Sequence, residues 1–288
     1  MINQKKQNYS FNSKILNRII KNKKIYLFNG LAIDSRDVKK DNLFLAIKGK
    51  YNDGNQYISK AIKKGARYVV SSKNNRKFKN KIVKVDNPIN FLNKFAKYKR
   101  ENCRGKILAI TGSAGKTSLK NMLNTLLGKF GVTYASPRSF NNHYGVPVSL
   151  SNLNLGHQFG VFEVGMNKAG EIDKLSKIIK PNLAIITNIA EAHIENFKNI
   201  AGIAKAKSEI INNIEKNGTV ILNRDDKFFN YLNKVAELKN IKVITFGKSK
   251  QSDISLIKIK KNKEIKKIII RIKNEILELQ VGDINIYN

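Results

Sequence analysis

The stretch from Lys106 to Leu127 constrains the fold of this chain more than any other, because its pattern predicts a strand, a glycine-containing loop and a helix in direct succession. Its sequence is KILAITGSAGKTSLKNMLNTLL. Residues 107–110 form a short apolar run, and the apolar residues between Leu119 and Leu127 recur at helical spacing. Gly128 then ends the predicted helix.

The loop between this strand and this helix has the composition of a phosphate-binding loop. Gly112 and Gly115 let the backbone turn tightly, so that its N–H groups point inward at the positive end of the helix dipole. Lys116 can reach the outer phosphates of a nucleotide, and the Thr117 hydroxyl can ligate a Mg²⁺ ion that bridges them. The longer phosphate-loop motif needs glycine where this chain has Ile110, so only the shorter Gly-x-x-Gly-Lys-Thr form is present. The flanking strand and helix favour nucleotide binding over a chance pair of glycines.

Composition narrows the classes of protein to which this chain could belong. The chain has 288 residues, enough for two domains, and 41% of them are hydrophobic, which is normal for a globular protein. No stretch approaches the roughly 18 consecutive apolar residues of a membrane helix, and the first residues show no apolar signal-peptide core, so we expect a cytoplasmic protein without membrane insertion. The single cysteine, Cys103, excludes an internal disulfide and a multi-cysteine metal site, and we expect it to be partly buried.

The net charge of +34 would suit nucleic-acid binding, because lysine-rich chains bind phosphate backbones through counterion release. The lysines are, however, spread over nearly every predicted helix and strand, without tryptophan and without a local cluster of aromatic and basic residues. This distribution favours solvated lysine faces that attract anionic substrates. We therefore expect no nucleic-acid partner, and a nucleic-acid-dependent ATPase is the less favoured alternative.

Alternating strand and helix patterns predict an α/β fold with two domains. Residues 1–86 are expected to form a small α/β domain, and the Asn87-Pro88 pair marks its boundary. Residues 87–288 are expected to form a central phosphate-loop domain, whose mostly parallel sheet is flanked by helices. The β-like runs between 253 and 281 have no helices between them and predict an antiparallel extension.

The predicted strands are 43–47, 66–70, 107–110, 132–135, 159–164, 183–187, 220–222 and 242–246. The predicted helices are 57–64, 91–99, 119–127, 170–179, 201–215 and 228–238. Two polar turns flank the first strand, at 34–36 and at 49–54. Ligands commonly bind at such strand ends in α/β domains, although the same residue types are ordinary in turns.

Several motifs resemble those of the Mur ligase family and follow one another in that family's order. They are DSR at 34–36 with LFLAIKG at 43–49 and DG at 53–54, TGSAGKT at 111–117, SFNNHYGVP at 139–147, EVGMN at 163–167 with GEI at 170–172, TNIAEAHIE at 187–195, AKSEI at 206–210 and LNRDD at 222–226. Within the family, the SFNN and AHIE forms favour the member that adds D-Ala-D-Ala over its sister that adds the third peptide residue.

The resemblance implies an ATP-dependent amide ligase of peptidoglycan precursor synthesis. In such an enzyme the γ-phosphate of ATP goes to the terminal carboxylate of UDP-N-acetylmuramoyl-tripeptide, and the amine of D-Ala-D-Ala attacks the resulting acyl phosphate. The first domain would bind the UDP-sugar, and the central domain would bind ATP and Mg²⁺.

Members of the family continue into a C-terminal ligase domain, which implies that this chain holds two of three domains and is inactive by itself. We also expect a monomer. A non-catalytic fragment that binds UDP-sugar or nucleotide is the main alternative.

The resemblance also assigns roles to individual residues. The catalytic residues would be Lys116, His193 and Lys207. The nucleotide would be bound by Gly112, Ser113, Ala114, Gly115, Lys116, Thr117, Ser118, Asn223 and Asn285. The metal would be held by Thr117, Glu163, His193 and Lys207. The substrate would contact Asp34, Ser35, Arg36, Asp53, Asn141 and Asn142. Two positions depart from the family pattern, since Asn55 and Ile284 stand where the family has histidine.

Lys207 is the most informative of these residues. Ile203, Ile210 and Ile214 fall on one stripe of the predicted helix 201–215, and Lys207 shares that stripe, whereas Lys205 points elsewhere. Burial disfavours a charged amine and lowers its pKa, and a neutral amine can react with CO₂. The resemblance implies a carbamylated lysine that acts as an anionic oxygen ligand near Mg²⁺. A surface lysine that extends its amine into water is the alternative.

Overall fold

The computed structural model describes residues 2–49, 51–192, 194–261 and 266–281. The helices are α1 (Ile2–Ile20), α2 (Ile58–Lys63), α3 (Pro88–Glu101), α4 (Lys116–Leu127), α5 (Gly145–Ser151), α6 (Glu171–Ile179), α7 (Ile200–Ser208) and α8 (Phe229–Leu238). The strands are β1 (Leu31–Ala32), β2 (Asn42–Leu45), β3 (Ala66–Ser71), β4 (Ile82–Lys84), β5 (Lys106–Thr111), β6 (Thr133–Ala135), β7 (Phe159–Glu163), β8 (Leu183–Ile186), β9 (Thr219–Asn223), β10 (Lys242–Gly247), β11 (Ile254–Lys261), β12 (Lys266–Ile272) and β13 (Glu275–Val281). Within the part of the chain that is described, no helix has the length and apolar character needed to cross a bilayer.

The chain forms two compact units, of which the first comprises Met1–Arg104 with Tyr144–His157 and the second comprises Gly105–His143 with Gln158–Asn288. This division differs from the predicted boundary at residues 86 and 87, because α3 belongs to the first unit. The buried face of α3 packs there against α1 and α5. Asn87 marks the start of this helix instead, since its side chain accepts hydrogen bonds from the N–H groups of Ile89 and Asn90 at 2.8 and 3.0 Å.

The first unit contains a four-stranded parallel sheet in the order β1-β2-β3-β4. Phe44 from β2, Val69 from β3 and Ile58 from α2 meet in its core, where each is at most 2% exposed. The predicted strands at 43–47 and 66–70 and the predicted helix at 57–64 are confirmed. They position the two polar turns at the ends of β1 and β2.

The helix α1 was not predicted, because its buried face includes polar side chains that interrupt the apolar periodicity. Asn12 is fully buried and donates from its amide to the Phe28 carbonyl at 3.1 Å. Ser13 is also buried, and its Oγ accepts a hydrogen bond from the Tyr26 N–H at 2.9 Å. These two side chains satisfy the backbone of the segment that leads into β1.

The second unit is built on one sheet of nine strands in the order β13-β12-β11-β10-β9-β8-β5-β7-β6. The strands from β6 to β11 pair in parallel, and β12 and β13 add antiparallel pairs, as the sequence predicts. Strand β5 lies between β7 and β8, with Ile110 paired to Glu163 and Ile185. The loops after β5, β7, β8 and β9 therefore leave the sheet at one edge, which is where α/β proteins bind ligands.

The predicted helix 201–215 is shorter in the structure. The helix α7 ends at Ser208, and a 3-10 turn over Glu209–Asn213 continues it. Ile203, Ile210 and Ile214 are nevertheless buried, so the predicted inward stripe is confirmed.

Lys99 and Lys120 correct the expectation that the lysines form solvated faces, whereas Lys207 is buried, as its place on the inward stripe predicts. Lys99, Lys120 and Lys207 are 2%, 2% and 3% exposed, respectively. In the first unit, Lys99 donates from its amine to Asn12 Oδ1 at 2.9 Å. Burial lowers the pKa of Lys99 to about 7. Cys103 is partly buried, as expected.

Candidate active site

The loop between β5 and α4 has the backbone geometry of a phosphate-binding loop. Gly112 has φ of +146°, and a Cβ atom there would lie 1.9 Å from Thr187 Oγ1. Gly115 has φ of +81° and immediately precedes α4. Only glycine fits both positions, and they direct the start of α4 toward the edge of the sheet. Lys116 folds back over the loop, with its Nζ 2.8 Å from the Gly112 carbonyl.

The loop after β8 holds the phosphate loop in place. The Ala114 N–H donates to Asn188 Oδ1 at 2.9 Å, and Thr187 Oγ1 donates to the Ala114 carbonyl at 2.6 Å. Ser113 Oγ donates to the Ala190 carbonyl at 2.9 Å. These bonds preorganise the loop, so little conformational entropy remains to be lost when an anion binds.

Glu163 is the last residue of β7 and is 1% exposed. Each of its carboxylate oxygens accepts one hydrogen bond. Thr117 Oγ1 donates to Oε2 at 2.8 Å, and Asn141 Nδ2 donates to Oε1 at 2.8 Å. A buried carboxylate next to a hydroxyl offers the hard oxygen donors that suit Mg²⁺, which commonly takes one or two carboxylates and completes its shell with phosphate and water.

Lys207 enters this site from α7. It is 3% exposed, whereas Lys205 is exposed, as the helical stripe predicts. Burial lowers the pKa of Lys207 to about 7, and the positive charge of Lys116 acts in the same direction. Burial also lowers the pKa of Lys116, and the negative charge of Glu163 opposes that shift. A large fraction of the Lys207 amine is therefore neutral near pH 7.

Lys116 and Lys207 line one cavity of about 320 Å³ in the second unit. The predicted site residues that line it are Gly112, Ser113, Lys116, Asn141, Asn142 and Lys207. The cavity thus brings the predicted phosphate, substrate and amine groups together at the edge of the sheet. Ala114, Gly115, Thr117 and Ser118 complete the loop and the first turn of α4 behind it.

The start of α6 also contributes to the cavity, through Glu171 and Lys174. Glu209 holds this helix, since its carboxylate accepts hydrogen bonds from the N–H groups of Gly170 at 2.7 Å and Asp173 at 3.0 Å. The sequence motifs give Glu209 no such role. Its only signal in the sequence is its place in the AKSEI motif at 206–210.

Asn223 ends β9 at the same edge of the sheet. Its Oδ1 accepts a hydrogen bond from the Asp225 N–H at 3.0 Å, which shapes the turn after the strand. In that turn, Asp226 Oδ2 accepts from the Ile189 N–H at 2.7 Å and so ties the loop after β9 to the loop after β8. Three residues singled out in the sequence, His193, Ile284 and Asn285, lie outside the described residues.

The first unit has a separate cleft of about 630 Å³ at the ends of β1 and β2. Its lining includes Asp34, Ser35 and Arg36, as predicted, together with Tyr57 and Lys60. Arg36 donates to Asp34 from two guanidinium nitrogens, at 3.1 Å from Nε and 2.6 Å from the terminal nitrogen. The cleft therefore presents both polar and aromatic side chains.

Asp53 does not belong to the described lining of this cleft. Its carboxylate accepts from Lys73 Nζ at 2.8 Å and from Asn55 Nδ2 at 2.6 Å. These bonds hold the pKa of Asp53 well below its usual range. Asn55 in turn accepts from Ser71 Oγ at 2.7 Å, so the residue that replaces the family histidine is fully bonded within the fold.

Comparison with known protein families agrees with this geometry. The Mur ligase middle domain family matches residues 110–288, and the catalytic domain of the Mur ligase family matches residues 27–100. The chain is a member of the Mur ligase family. The second of these matches lies within the first compact unit, and the first covers most of the second unit together with residues 144–157 of the first unit.

Among curated Mur ligases, the chain is 40% identical over 257 residues to the UDP-N-acetylmuramoyl-tripeptide--D-alanyl-D-alanine ligase of Rickettsia prowazekii, covering 88% of this chain and 57% of that protein. It is 38% identical over 234 residues to the ligase of the same name from Buchnera aphidicola, covering 81% of this chain and 51% of that protein. The chain thus spans about half the length of the curated relatives it matches.

Solved Mur ligase structures have the same fold. A crystal structure of MurF from Acinetobacter baumannii matches with a TM-score of 0.83 and 26% identity, covering 96% of this chain and 61% of that chain. MurF ligase from Thermotoga maritima in complex with ADP matches with a TM-score of 0.76 and 26% identity, covering 92% and 61% of the two chains.

Proposed function

We propose that this chain carries the UDP-sugar and ATP sites of a ligase that joins D-Ala-D-Ala to UDP-N-acetylmuramoyl-tripeptide in peptidoglycan precursor synthesis. One observation carries the proposal: the phosphate loop, Asn141 and the buried Lys207 line one cavity, and the buried Glu163 accepts hydrogen bonds from Thr117 and Asn141. The names of the curated relatives support this choice of substrates.

The reaction needs an activated carboxylate, because a free carboxylate is a poor electrophile. Transfer of the γ-phosphoryl group of ATP to the peptide carboxylate makes its oxygen a phosphate leaving group, which the amine of D-Ala-D-Ala displaces. The loop N–H groups and Lys116 would hold the phosphates and offset the negative charge that develops during transfer. Asn141 and Asn142 line the same cavity and would orient the peptide end of the substrate.

Mg²⁺ fits this site on the chemistry of its donors. Thr117 and Glu163 would hold the ion, since their oxygens lie 2.8 Å apart and Glu163 is buried at the end of β7. When bound, the ion would neutralise negative charge on the phosphates. His193 would be a further ligand, as the family pattern implies.

Lys207 is proposed to be carbamylated. The ammonium would first lose one proton; the neutral amine would then attack CO₂, forming an N–C bond as one C–O π bond opens onto oxygen, and the nitrogen would lose a second proton, so that overall a cation becomes an anion. The depressed pKa supplies the neutral amine near pH 7. An anionic side chain at this position would also relieve the repulsion between Lys207 and Lys116.

The UDP-sugar would bind in the cleft of the first unit, where Asp34, Ser35 and Arg36 line the wall and would contact it. The backbone of β1 and β2 fixes these residues, and Arg36 offers donors suited to phosphate oxygens. Asp53 would act through the loop that it stabilises. The adenine side of ATP is assigned to Asn223 and Asn285 from the family pattern. A cytoplasmic location and a monomeric state, expected from the sequence, remain part of the proposal.

The deciding experiment combines binding and turnover. Calorimetry on this chain is expected to detect binding of both MgATP and UDP-N-acetylmuramoyl-tripeptide. Ligation by this chain is expected to be negligible. The natural full-length protein is expected to form the UDP-N-acetylmuramoyl-pentapeptide and ADP. If the full-length protein bound both ligands but formed no product, its function would be binding alone and not ligation. If DNA or RNA, and not the UDP-sugar peptide, stimulated ATP hydrolysis, the protein would be a nucleic-acid-dependent ATPase.

A further inference from the structure

Lys120 is a buried lysine beside the candidate active site, and the sequence motifs leave it without a role. It lies one helical turn after Lys116 on α4, so it follows the same side of the helix as Lys116 and Thr117. Its side chain is 2% exposed, and its amine donates a hydrogen bond to the main-chain carbonyl of Arg138. A lysine removed from water needs such a partner, because burial disfavours its charge.

The carbonyl that Lys120 contacts belongs to the segment 136–141, which is attached to β7 and its continuation at both ends. At its start, the Ser136 N–H donates to a main-chain carbonyl of β7 at 2.9 Å. At its end, the Asn141 carbonyl accepts from the Gly165 N–H at 2.8 Å. The position of this segment decides whether the Asn141 amide reaches Glu163.

Between these two ends, Arg138 forms the bend of the segment. Its φ of +49° lies in the left-handed region, which residues other than glycine occupy at a cost unless the surroundings hold them there. The hydrogen bond from Lys120 satisfies the Arg138 carbonyl and ties the bend to α4. Burial lowers the pKa of Lys120, and the negative charge of Glu163 opposes that shift, which places the amine near the carboxylate as well.

We propose that Lys120 is a positioning residue: it fixes the segment 136–141 through the Arg138 carbonyl, so that the Asn141 amide stays on Glu163. Lys120 thereby links the helix that follows the phosphate loop to the segment that carries a candidate substrate contact. The expected effect of Lys120 on ligation rests on the proposed function, whereas its expected effect on the position of the segment 136–141 does not.

Hydrogen–deuterium exchange on this chain tests the structural half. In Lys120→Met, the amides of the segment 136–141 and of Gly165 are expected to exchange faster, while the Ser113 amide in the phosphate loop keeps its protection. Lys120→Gln, whose amide is too short to reach the carbonyl, goes through the same measurement in case the methionine variant folds poorly. Lys129→Met removes an exposed lysine just after α4 and is the control. Unchanged exchange in the segment would overturn the proposal.

A double-mutant cycle with the full-length enzyme tests the functional half. Lys120→Met and Asn141→Ala are each expected to raise the Mg²⁺ concentration for half-maximal ligation by roughly tenfold, the equivalent of one hydrogen bond. The double variant should need no more Mg²⁺ for half-maximal ligation than Asn141→Ala alone, because both changes release the same contact. Additive effects would contradict a role through Asn141. An inactive full-length wild type would contradict the proposed function, and the exchange measurement would still decide whether Lys120 fixes the segment.

Discussion

The Thr117 hydroxyl donates a 2.8 Å hydrogen bond to Glu163 Oε2, although the two residues are 46 positions apart in the sequence. Thr117 lies in the first turn of α4, which follows strand β5, and Glu163 ends the neighbouring strand β7. The parallel pairing of β5 with β7 therefore brings a hydroxyl and a buried carboxylate to the same edge of the sheet. This pair gives the candidate metal position its two hard oxygen donors.

Glu163→Gln should weaken Mg²⁺-dependent nucleotide binding, because it keeps the shape of the side chain and removes its charge. We expect a loss larger than the roughly 10–100-fold that accompanies loss of an outer hydrogen-bond partner of a metal ligand. Calorimetric titration of ATP with and without Mg²⁺ measures the effect, which should be confined to the Mg²⁺-containing series. Glu237→Gln, on the exposed face of α8, is the control. Equal losses in both series would speak against a metal role.

Lys116→Ala should lower ligation by the full-length enzyme by roughly 10³-fold or more, in line with other cations that clamp a transferring phosphoryl group. Binding of the UDP-sugar should be unaffected, because its proposed contacts lie in the first unit. Steady-state kinetics and calorimetry with UDP-N-acetylmuramoyl-tripeptide measure the two effects separately. A parallel loss of both would show that the ligands are assigned to the wrong units.

Lys207→Ala should nearly abolish ligation by the full-length enzyme. Lys207→Arg should do the same, because arginine keeps its charge and cannot form a carbamate. Lys205→Ala provides the matched control, since Lys205 lies two residues away on the exposed face of α7 and should be nearly silent. Turnover assays compare the three variants. Near-normal turnover by Lys207→Arg would rule out the carbamate.

Activity that depends on the Lys207 carbamate should fall as the pH decreases through about 7, because the amine becomes protonated there. Added bicarbonate should restore part of the lost activity at a given pH. Measuring ligation between pH 6 and 8, with and without bicarbonate, checks both statements. Bicarbonate should have no effect on Lys207→Ala, and an equal effect on both proteins would point to a cause other than this lysine.

Lys99 should make the stability of the first unit depend on pH. Its pKa of about 7 in the folded chain lies below the ordinary value of 10.5, so the unfolded chain binds more protons between these values. Stability should therefore rise with pH across this window, by up to about 1.4 kcal/mol per pH unit, and the penalty for the buried charge is largest below pH 7.

Lys99→Met should remove this dependence, and Lys97→Met, an exposed lysine on the same helix, should keep it. Urea unfolding at several pH values, with hydrogen–deuterium exchange of the α3 amides as the readout for the first unit, gives the free energies of unfolding to compare. Identical slopes for wild type and Lys99→Met would show that the folded Lys99 titrates like a solvated lysine.

Local patterns predicted most of the second unit. The strand, loop and helix around Lys116 and the inward stripe that includes Lys207 are confirmed in the structure. Both depend on interactions between near neighbours in the sequence, which leave a regular spacing of apolar residues. The helix α1 lacks that signal, because Asn12 and Ser13 occupy its buried face.

The sequence by itself determined the phosphate loop, the alternation of strands and helices around it and the inward stripe that includes Lys207, because these follow from backbone periodicity and from glycine geometry. Only the tertiary structure decided that α3 belongs to the first unit, that Asp53 bonds to Lys73 rather than lining the cleft, and that Lys120 holds the Arg138 carbonyl. Those contacts join residues whose separation along the chain carries no periodic signal. They arise only when strand order and helix packing place distant segments side by side.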